Sequence, residues 1–277
     1  MNIAMINDKI VPADSLAPVY SDRGIYFGDG VYEVLRSYNG RIFALEDHLF
    51  RFARSLNEIE ITGIDIEMVK NRVLEAFKEA KIANAKIYFH ITRGSGPRDH
   101  AAFEGLTPNF FLTISQLPEN PNRKNEGIKV STHPDWRWKR CDIKSLNLLA
   151  NVMARRDAAK KGCSEAILVN ESGFITEGSA SAFFAIRNKK LYTTPLSANI
   201  LPSITRKYVA LAANKLGIEI VEQSITPDQA KSADELFTAV TTADIIPITN
   251  FDGQTISAGK PGPITRSLAK EFCNFIR

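Results

Sequence analysis

A polar segment with two prolines divides this chain near its middle. It reads LPENPNRKN over residues 117–125 and lies between two stretches that are typical of strands. Proline breaks a helix and the polar side chains disfavour burial, so this segment predicts a linker. The chain is therefore predicted to contain two domains, a small one over residues 1–120 and a larger one over residues 121–277.

Helix and strand patterns are mixed on both sides of this segment. Apolar residues recur every three or four positions over residues 45–59 and 66–80, which predicts two amphipathic helices. Further helices are predicted over residues 146–161, 203–216 and 264–275. Strands are predicted over residues 3–6, 31–38, 86–92, 109–115, 128–132, 165–169, 182–186, 190–193, 218–221 and 235–240. Because strands and helices do not alternate strictly, we expect an α+β fold and not a doubly wound parallel sheet.

Composition and charge exclude several classes of protein. The 277 residues are 44% hydrophobic and 24% charged, as in ordinary globular proteins, and no apolar run approaches the ~18 residues that span a bilayer. The formal charge of +4 is spread among acidic residues, so neither a nucleic acid nor a membrane is expected as a partner. The widely spaced Cys141, Cys163 and Cys273 fit a reducing cytoplasm. The four histidines lack the spacing of metal ligands, so no metal is predicted.

Lys144 is the first candidate for chemistry. It lies in the segment DIKSLNLL, just before the predicted start of a helix near Ser145. The helix dipole disfavours a cation there by about 0.3–1 kcal/mol, which favours the neutral amine that acts as a nucleophile. The alternative is an ordinary solvated surface lysine.

A carboxylate and an anion site are the next candidates. Glu177 lies between Ile175 and an apolar strand, and small residues follow it, although an exposed hairpin glutamate would look similar. The segment LPSITR over residues 201–206 begins a predicted helix, where free N–H groups and hydroxyls form a site for an anion. The alternative there is a simple cap by Ser203. Thr241 and Thr242 add two hydroxyls at the end of a predicted strand.

An amine, a carboxylate and an anion site together match the needs of pyridoxal 5′-phosphate (PLP). The sequence also resembles the fold-type IV (branched-chain/D-amino-acid) aminotransferases through nearly its whole length. The resemblance rests on the motifs DRG at 22–24, FGDGVYE at 27–33, KSLN at 144–147, TEGS at 176–179 and ITR at 204–206. It implies a small α/β domain and a larger domain with a mixed sheet or pseudo-barrel, which carries the cofactor lysine.

The resemblance also implies a role for each residue that matches a motif. Lys144 would bond to the cofactor aldehyde and then move the proton during transfer, and Glu177 would keep the pyridine nitrogen protonated. The other cofactor residues would be Arg51, the N–H groups of Ile204 and Thr205 and the hydroxyls of Thr205 and Thr241 for the phosphate, with Leu201 packed on the ring.

The segment from Thr92 to His100 is predicted to set the choice of substrate. Arg98 and His100, together with Tyr32, resemble the trap for the α-carboxylate in D-amino-acid aminotransferases, whose dimers place this loop in the neighbouring active site. A homodimer is therefore expected. Ala180 and Ala182 depart from the more polar residues of the D-specific enzymes, which leaves the side-chain pocket open.

The expected function is a ping-pong transaminase that exchanges amino groups between D-amino acids, such as D-alanine and D-glutamate, and 2-oxo acids, such as 2-oxoglutarate and pyruvate. The alternatives within the family are a branched-chain L-aminotransferase, an (R)-amine transaminase and an aminodeoxychorismate lyase. An alternative from another class is a non-catalytic binding protein that keeps the same scaffold.

Overall fold

The structure, a computed structural model, describes residues 2–101, 104–118 and 121–276. Its strands form a two-stranded ribbon, a four-stranded sheet and a nine-stranded sheet. The helices are α1 (Arg23–Phe27), α2 (Leu45–Glu58), α3 (Ile66–Ala80), α4 (Pro121–Asn125), α5 (Leu149–Lys160), α6 (Ile204–Lys215), α7 (Pro227–Lys231) and α8 (Pro263–Phe272). The strands are β1 (Ile3–Ile6), β2 (Lys9–Pro12), β3 (Gly30–Tyr38), β4 (Arg41–Ile42), β5 (Ala85–Thr92), β6 (Asn109–Gln116), β7 (Ile128–Pro134), β8 (Glu165–Val169), β9 (Ile175–Gly178), β10 (Ala182–Arg187), β11 (Lys190–Thr193), β12 (Ile220–Glu222), β13 (Glu235–Val240), β14 (Asp244–Phe251) and β15 (Gln254–Thr255).

The four-stranded sheet is antiparallel, in the order β4-β3-β5-β6, and α2 and α3 pack against it. Alternation along β3 places Val31, Glu33 and Leu35 on the side that is buried. The apolar members of this face pack with Phe52 of α2 and Phe89 of β5, which makes the core of this half. Glu33 is therefore a carboxylate inside an otherwise apolar face.

The nine-stranded sheet is mixed and curls into a half barrel. Its order is β12-β11-β10-β13-β14-β7-β8-β9, with β15 paired to β14. Strands β14, β7 and β8 run parallel, whereas β8 and β9 are antiparallel. Helices α6 and α8 pack on each other and on β13, and α5 packs on β7 and β8. The predicted α+β class and mixed sheet are confirmed.

An ion pair and a hydrogen bond join the two halves of the chain beside a shared cleft. Arg36 of β3 pairs with Asp244 of β14 at 3.1 Å, and Arg51 of α2 donates to the carbonyl of Pro202 at 3.0 Å. The cleft between the two halves is therefore walled by α2 and β3 on one side and by loops of the nine-stranded sheet on the other.

One local prediction is wrong, and the predicted linker contains a helix that was not expected. The helix predicted from residue 146 begins at Leu149, because residues 144–146 pair with β3: the N–H of Tyr32 donates to the carbonyl of Lys144, and Leu146 donates to the carbonyl of Gly30. The predicted linker contains the short helix α4, which Pro121 opens at a position that needs no N–H donor. Glu119 and Asn120 of that segment lie outside the described residues.

The described residues also bear on partners and metals. None of their helices combines the length and the apolar character that crossing a membrane requires. Over residues 2–101, 104–118 and 121–276, no group of three or more His, Cys, Asp or Glu side chains is placed to hold a metal ion.

Candidate active site

A cavity of about 490 Å³ lies in the cleft between the two halves. It is lined by six of the residues predicted from the sequence, namely Tyr32, Arg51, Lys144, Glu177, Leu201 and Thr241. Ile204 and Thr205 are buried in the first turn of α6, directly after the lining residue Ser203. Arg98 and His100 do not line it.

The backbone around Lys144 is held against β3 by the two hydrogen bonds of residues 144–146. This close approach requires glycine at two positions. Gly28 has φ +66°, and a Cβ there would lie 2.3 Å from Oδ1 of Asn147; a Cβ at Gly30 would lie 2.7 Å from the carbonyl of Ile91. Gly28 and Gly30 of the FGDG motif therefore allow residues 144–147 to lie close to β3.

The side chain of Lys144 enters the cavity without an ionic partner. Its Nζ lies 4.3 Å from the ring centre of Tyr32, and within the described part of the chain it makes no hydrogen bond or ion pair. The predicted effect of a helix dipole on Lys144 is wrong, since α5 begins five residues later at Leu149. The lysine is available because no acid pairs with it.

Glu177 is the penultimate residue of β9 and is buried. Its Oε1 accepts hydrogen bonds from Arg137 and from the N–H of Leu201 at 3.4 Å, and its Oε2 has no partner within the described residues. Burial raises the pKa of Glu177, although Arg137 opposes this. Arg137 is itself shared with Asp135, whose Oδ2 lies 2.7 Å from it. Burial opposes the change, but the hydrogen bonds from Arg137 lower the pKa of Asp135.

Arg51 of α2 also lines the cavity and forms an ion pair with Glu33. Its Nε and Nη2 donate to the two carboxylate oxygens at 2.7 and 2.8 Å, and Nδ1 of His48 lies 2.8 Å from Oε2. Burial disfavours the charge, but Arg51 and His48 hold the pKa of Glu33 well below its usual range. The guanidinium is thus fixed in place beside the start of α6.

Several donors beside Arg51 lack acceptors. Ser203 caps α6 by accepting from Arg206 at 3.2 Å, as the alternative prediction has it, yet this leaves the N–H groups of Ile204 and Thr205 without an acceptor among the described residues. The hydroxyls of Thr205 and Thr241 also make no hydrogen bond there. A helix N-terminus with free donors and a nearby arginine suits a phosphate group.

The residues present fit PLP in three independent respects. Lys144 has a free amine and Oε2 of Glu177 is a free acceptor, and both residues line one cavity together with Arg51 and Thr241; the unpaired N–H groups of Ile204 and Thr205 follow the lining residue Ser203. These match the aldehyde, the ring nitrogen and the phosphate of the cofactor.

Comparison with known proteins decides the family. The family described as amino-transferase class IV matches residues 30–251. This chain belongs to the class IV aminotransferases. It is 38% identical over 276 residues to the D-alanine aminotransferase of Bacillus licheniformis, covering 98% of this chain and 96% of that one. It is 36% identical over 278 residues to the D-alanine aminotransferase of Staphylococcus haemolyticus, covering 100% and 98%. The branched-chain amino acid aminotransferase of Escherichia coli shares the fold, with a TM-score of 0.88 at 22% identity over 97% and 92% of the chains.

Membership of the class IV aminotransferases confirms three predictions made from the motifs. The fold-type IV resemblance and the enzyme class are correct. Because this class is PLP-dependent, the predicted cofactor is confirmed as well. The individual site residues stay predictions that the geometry of the aminotransferase cavity supports.

The substrate loop of this aminotransferase lies away from its own cavity. Arg98 and His100 are exposed and both contact the ring of Phe27, with centroid distances of 5.5 and 5.0 Å. Arg23 holds the loop by donating to the carbonyls of Asp99 at 2.6 Å and His100 at 3.2 Å. The DRG motif at 22–24 therefore holds the predicted substrate loop in place through Arg23. Within a single chain, Arg98 and His100 do not line the cavity that contains Lys144.

Sequence reasoning missed two groups of residues at this site. Arg137 and Asp135 support Glu177, and Glu33 and His48 support Arg51. For Glu33 a signal was available, since an acid on the buried face of a strand needs a cationic partner. For Arg137 there was none, because it comes from a loop far from Glu177 in the sequence.

Proposed function

We propose that this class IV aminotransferase is a D-amino-acid transaminase, which moves amino groups between D-amino acids and 2-oxo acids. D-alanine and D-glutamate are the donors expected, with 2-oxoglutarate and pyruvate as acceptors. The observation that carries the reaction is that the unpaired amine of Lys144 and the buried carboxylate of Glu177 line the same cavity. The D-alanine aminotransferases that match along the whole chain at 36–38% identity support the D-specificity.

PLP supplies the aldehyde that receives the amino group and a ring that withdraws electrons from the substrate α-carbon. Nζ of Lys144 takes the proton from that α-carbon and returns it on the cofactor side during transfer. This requires the amine to be neutral and free to move, and the absence of an acidic partner within the described residues meets the second requirement.

The other cavity residues bind and orient. Oε2 of Glu177 accepts from the ring nitrogen and keeps its proton there, while Arg137 holds the carboxylate in place. Arg51, the hydroxyls of Thr205 and Thr241 and the N–H groups of Ile204 and Thr205 bind the phosphate. The side chain of Leu201 packs on the ring, since it lines the cavity next to Glu177.

The active form in this proposal is a homodimer in which Arg98 and His100 reach the cavity of the second copy. Their exposure, away from their own cavity, supports this arrangement. Tyr32, 4.3 Å from Nζ of Lys144, then completes the binding of the substrate α-carboxylate. A cytoplasmic location is part of the same proposal, supported by three cysteines that form no disulfide.

Half-reactions with single amino acids test this function. Purified holoenzyme is mixed with D-alanine, L-alanine or L-leucine, and the absorbance of the bound cofactor is followed. We expect D-alanine alone to convert it rapidly. Conversion by L-leucine but not D-alanine would favour the branched-chain alternative, and no conversion by any donor would favour a non-catalytic protein.

Replacement of the lysine tests the mechanism. We expect Lys144→Ala to lose transamination by a factor of at least about 10² because the proton carrier is gone, while the exposed Lys139→Ala keeps it. Borohydride reduction followed by peptide mass mapping should place the cofactor label on Lys144. Near-normal activity of Lys144→Ala, or a label elsewhere, would refute the assigned role.

A further inference from the structure

Five basic side chains line the cavity, and their partners differ. Three are in ion pairs: Arg51 with Glu33 at 2.7 Å, Arg137 with Asp135 at 2.7 Å and Arg155 with Glu165 at 2.9 Å. Lys144 is the reacting amine. Over residues 2–101, 104–118 and 121–276, the remaining cation, Arg156, forms neither an ion pair nor a hydrogen bond.

Helix α5 directs Arg156 to the cavity. The residues of this helix that line the cavity are Asn151, Val152, Arg155 and Arg156, whose spacing of three to five positions defines one helix face. Ala154 and Ala158 lie on the opposite face and pack with Leu168 of β8. Arg156 is exposed, so its guanidinium lies at the mouth of the cavity.

The helix that carries Arg156 is fixed against the residues that follow Glu177. Nδ2 of Asn151 donates to the carbonyl of Ser179 at 2.7 Å, and Arg155 is held by Glu165. The hydroxyls of Ser179 and Ser181 both donate to Glu165, so their protons are not directed at a substrate. The cavity lining also includes small or apolar side chains, among them Ala180, Ala182 and Val152, which lies four positions before Arg156 on α5.

We propose that Arg156 pairs with the second carboxylate of dicarboxylic substrates, such as D-glutamate, D-aspartate and 2-oxoglutarate. The inference rests on the proposed function, in which other groups hold the α-carboxylate. A guanidinium pairs with a carboxylate through two parallel hydrogen bonds, and it gives nothing to the methyl group of alanine. Arg156 is thus a specificity-determining residue that separates acidic substrates from small ones.

The experiment compares Arg156→Gln with wild-type holoenzyme on paired substrates. We expect the KM for D-glutamate and for 2-oxoglutarate to rise about tenfold, as for a partly exposed charge pair. The KM for D-alanine and for pyruvate should change by less than about twofold, because no contact of theirs is removed. Arg156→Glu should raise the KM for D-glutamate further.

Two other variants control for trivial causes. Lys160→Gln removes the same charge from an exposed position of α5 outside the cavity, and it should leave both KM values in place. Arg156→Lys keeps the charge but not the planar fork, so its KM for D-glutamate should lie between those of wild type and Arg156→Gln. If Arg156→Gln folds poorly, the comparison of Arg156→Lys with wild type still shows whether the planar fork favours dicarboxylates.

The outcomes separate the inference from the proposed function. Equal rises in the KM for D-alanine and D-glutamate would place Arg156 on the α-carboxylate and overturn the inference, as would no change in either. Failure of the wild-type enzyme to use any D-amino acid would overturn the proposed function instead. In that case the same comparison between L-glutamate and L-alanine still tests Arg156.

Discussion

Two buried carboxylates, one in each of the two large sheets, each pair with an arginine that lines the cavity, yet their pKa values move in opposite directions. Glu33, paired with Arg51, has its pKa lowered, and Glu177, paired with Arg137, has its pKa raised. Both are almost fully buried, at 0% and 5% exposure. Burial alone therefore does not determine which of the two carries a charge at low cost.

The number of donors explains the difference. Glu33 accepts two hydrogen bonds from Arg51, one from His48 and one from the N–H of Val34 at 3.3 Å. Glu177 accepts from Arg137 and from Leu201, both on one oxygen. Each additional donor stabilises the ionised form.

The sharing of Arg137 adds to this. Its charge is divided between Glu177 and Asp135, and the negative charge of Asp135 itself raises the pKa of Glu177. Both carboxylate oxygens of Glu33 thus have hydrogen-bond donors, and its charge is balanced by Arg51. Glu177 keeps a free oxygen and an incompletely balanced charge, which is what binding a protonated ring nitrogen requires.

The largest effect is expected from Glu33→Gln. This change leaves the charge of Arg51 buried without its counter-ion, which costs about 3–5 kcal/mol of unfolding free energy. Glu177→Gln should cost less than about 1 kcal/mol, because its charged form is already disfavoured. Urea unfolding of both variants without added cofactor measures the two values. Equal losses would remove the distinction between the two carboxylates.

The dependence of stability on pH sharpens this comparison. Since the folded pKa of Glu33 lies below the reference value of 4.5, its contribution is present above about pH 4.5 and is lost as the pH falls towards the folded value. The gap in stability between wild type and Glu33→Gln should therefore narrow from about pH 6 to about pH 3. For Glu177 the sign is reversed, and wild type should lose stability relative to Glu177→Gln as the pH rises above 4.5.

Glu177→Gln should affect activity far more than it affects stability. Glu177→Gln is expected to lower kcat on the order of 10²-fold, with KM nearly unchanged, because a neutral amide cannot keep the ring nitrogen protonated. Glu235→Gln is a matched control, since Glu235 is also buried but accepts from the first turn of α8, outside the cavity. That variant should lose stability and keep its kcat. A similar fall in kcat for both would indicate a general effect of losing a buried acid.

Local sequence patterns predicted six of the residues that line the cavity, and they missed the residues that hold Glu177 and Arg51 in place. Lys144 and Glu177 could be predicted because each belongs to a short motif that matches a family, and Leu201 lies three residues before another such motif. The cationic partners of Glu33 and Glu177 could not be predicted in this way. The ion pair of Arg137 with Glu177, for example, depends on how a loop packs against a strand that is distant in the sequence. Hydrophobic periodicity reports contacts within one element and carries no information on such pairs.

The predicted start of α5 at residue 146 is wrong because it, too, depends on contacts between distant parts of the chain. Residues 144–146 have the composition of a helix start, but their backbone groups pair with β3, and that pairing depends on tertiary contacts. The prediction for the substrate loop is of another kind, because Arg98 and His100 are predicted to act in the cavity of a second copy of the chain, which the fold of one chain does not show. Six of the predicted site residues thus line one cavity, whereas the ion pairs that hold Arg51 and Glu177 could be identified only from the fold.

The smallest expected effect comes from Asp135→Asn, which changes the partner of Arg137 and leaves Glu177 itself in place. Without the negative charge of Asp135 the pKa of Glu177 should fall, because a repulsion is removed and Arg137 is free to turn towards Glu177. Thr176→Val is the matched control: it removes the 2.7 Å hydrogen bond to Asp135 but keeps the charge, so it should cost about 1 kcal/mol of stability and leave the titration of Glu177 unchanged. Carboxylate infrared difference spectra against Glu177→Gln follow that titration directly. An equal shift in both variants would mean that packing around Asp135, and not its charge, sets the pKa of Glu177.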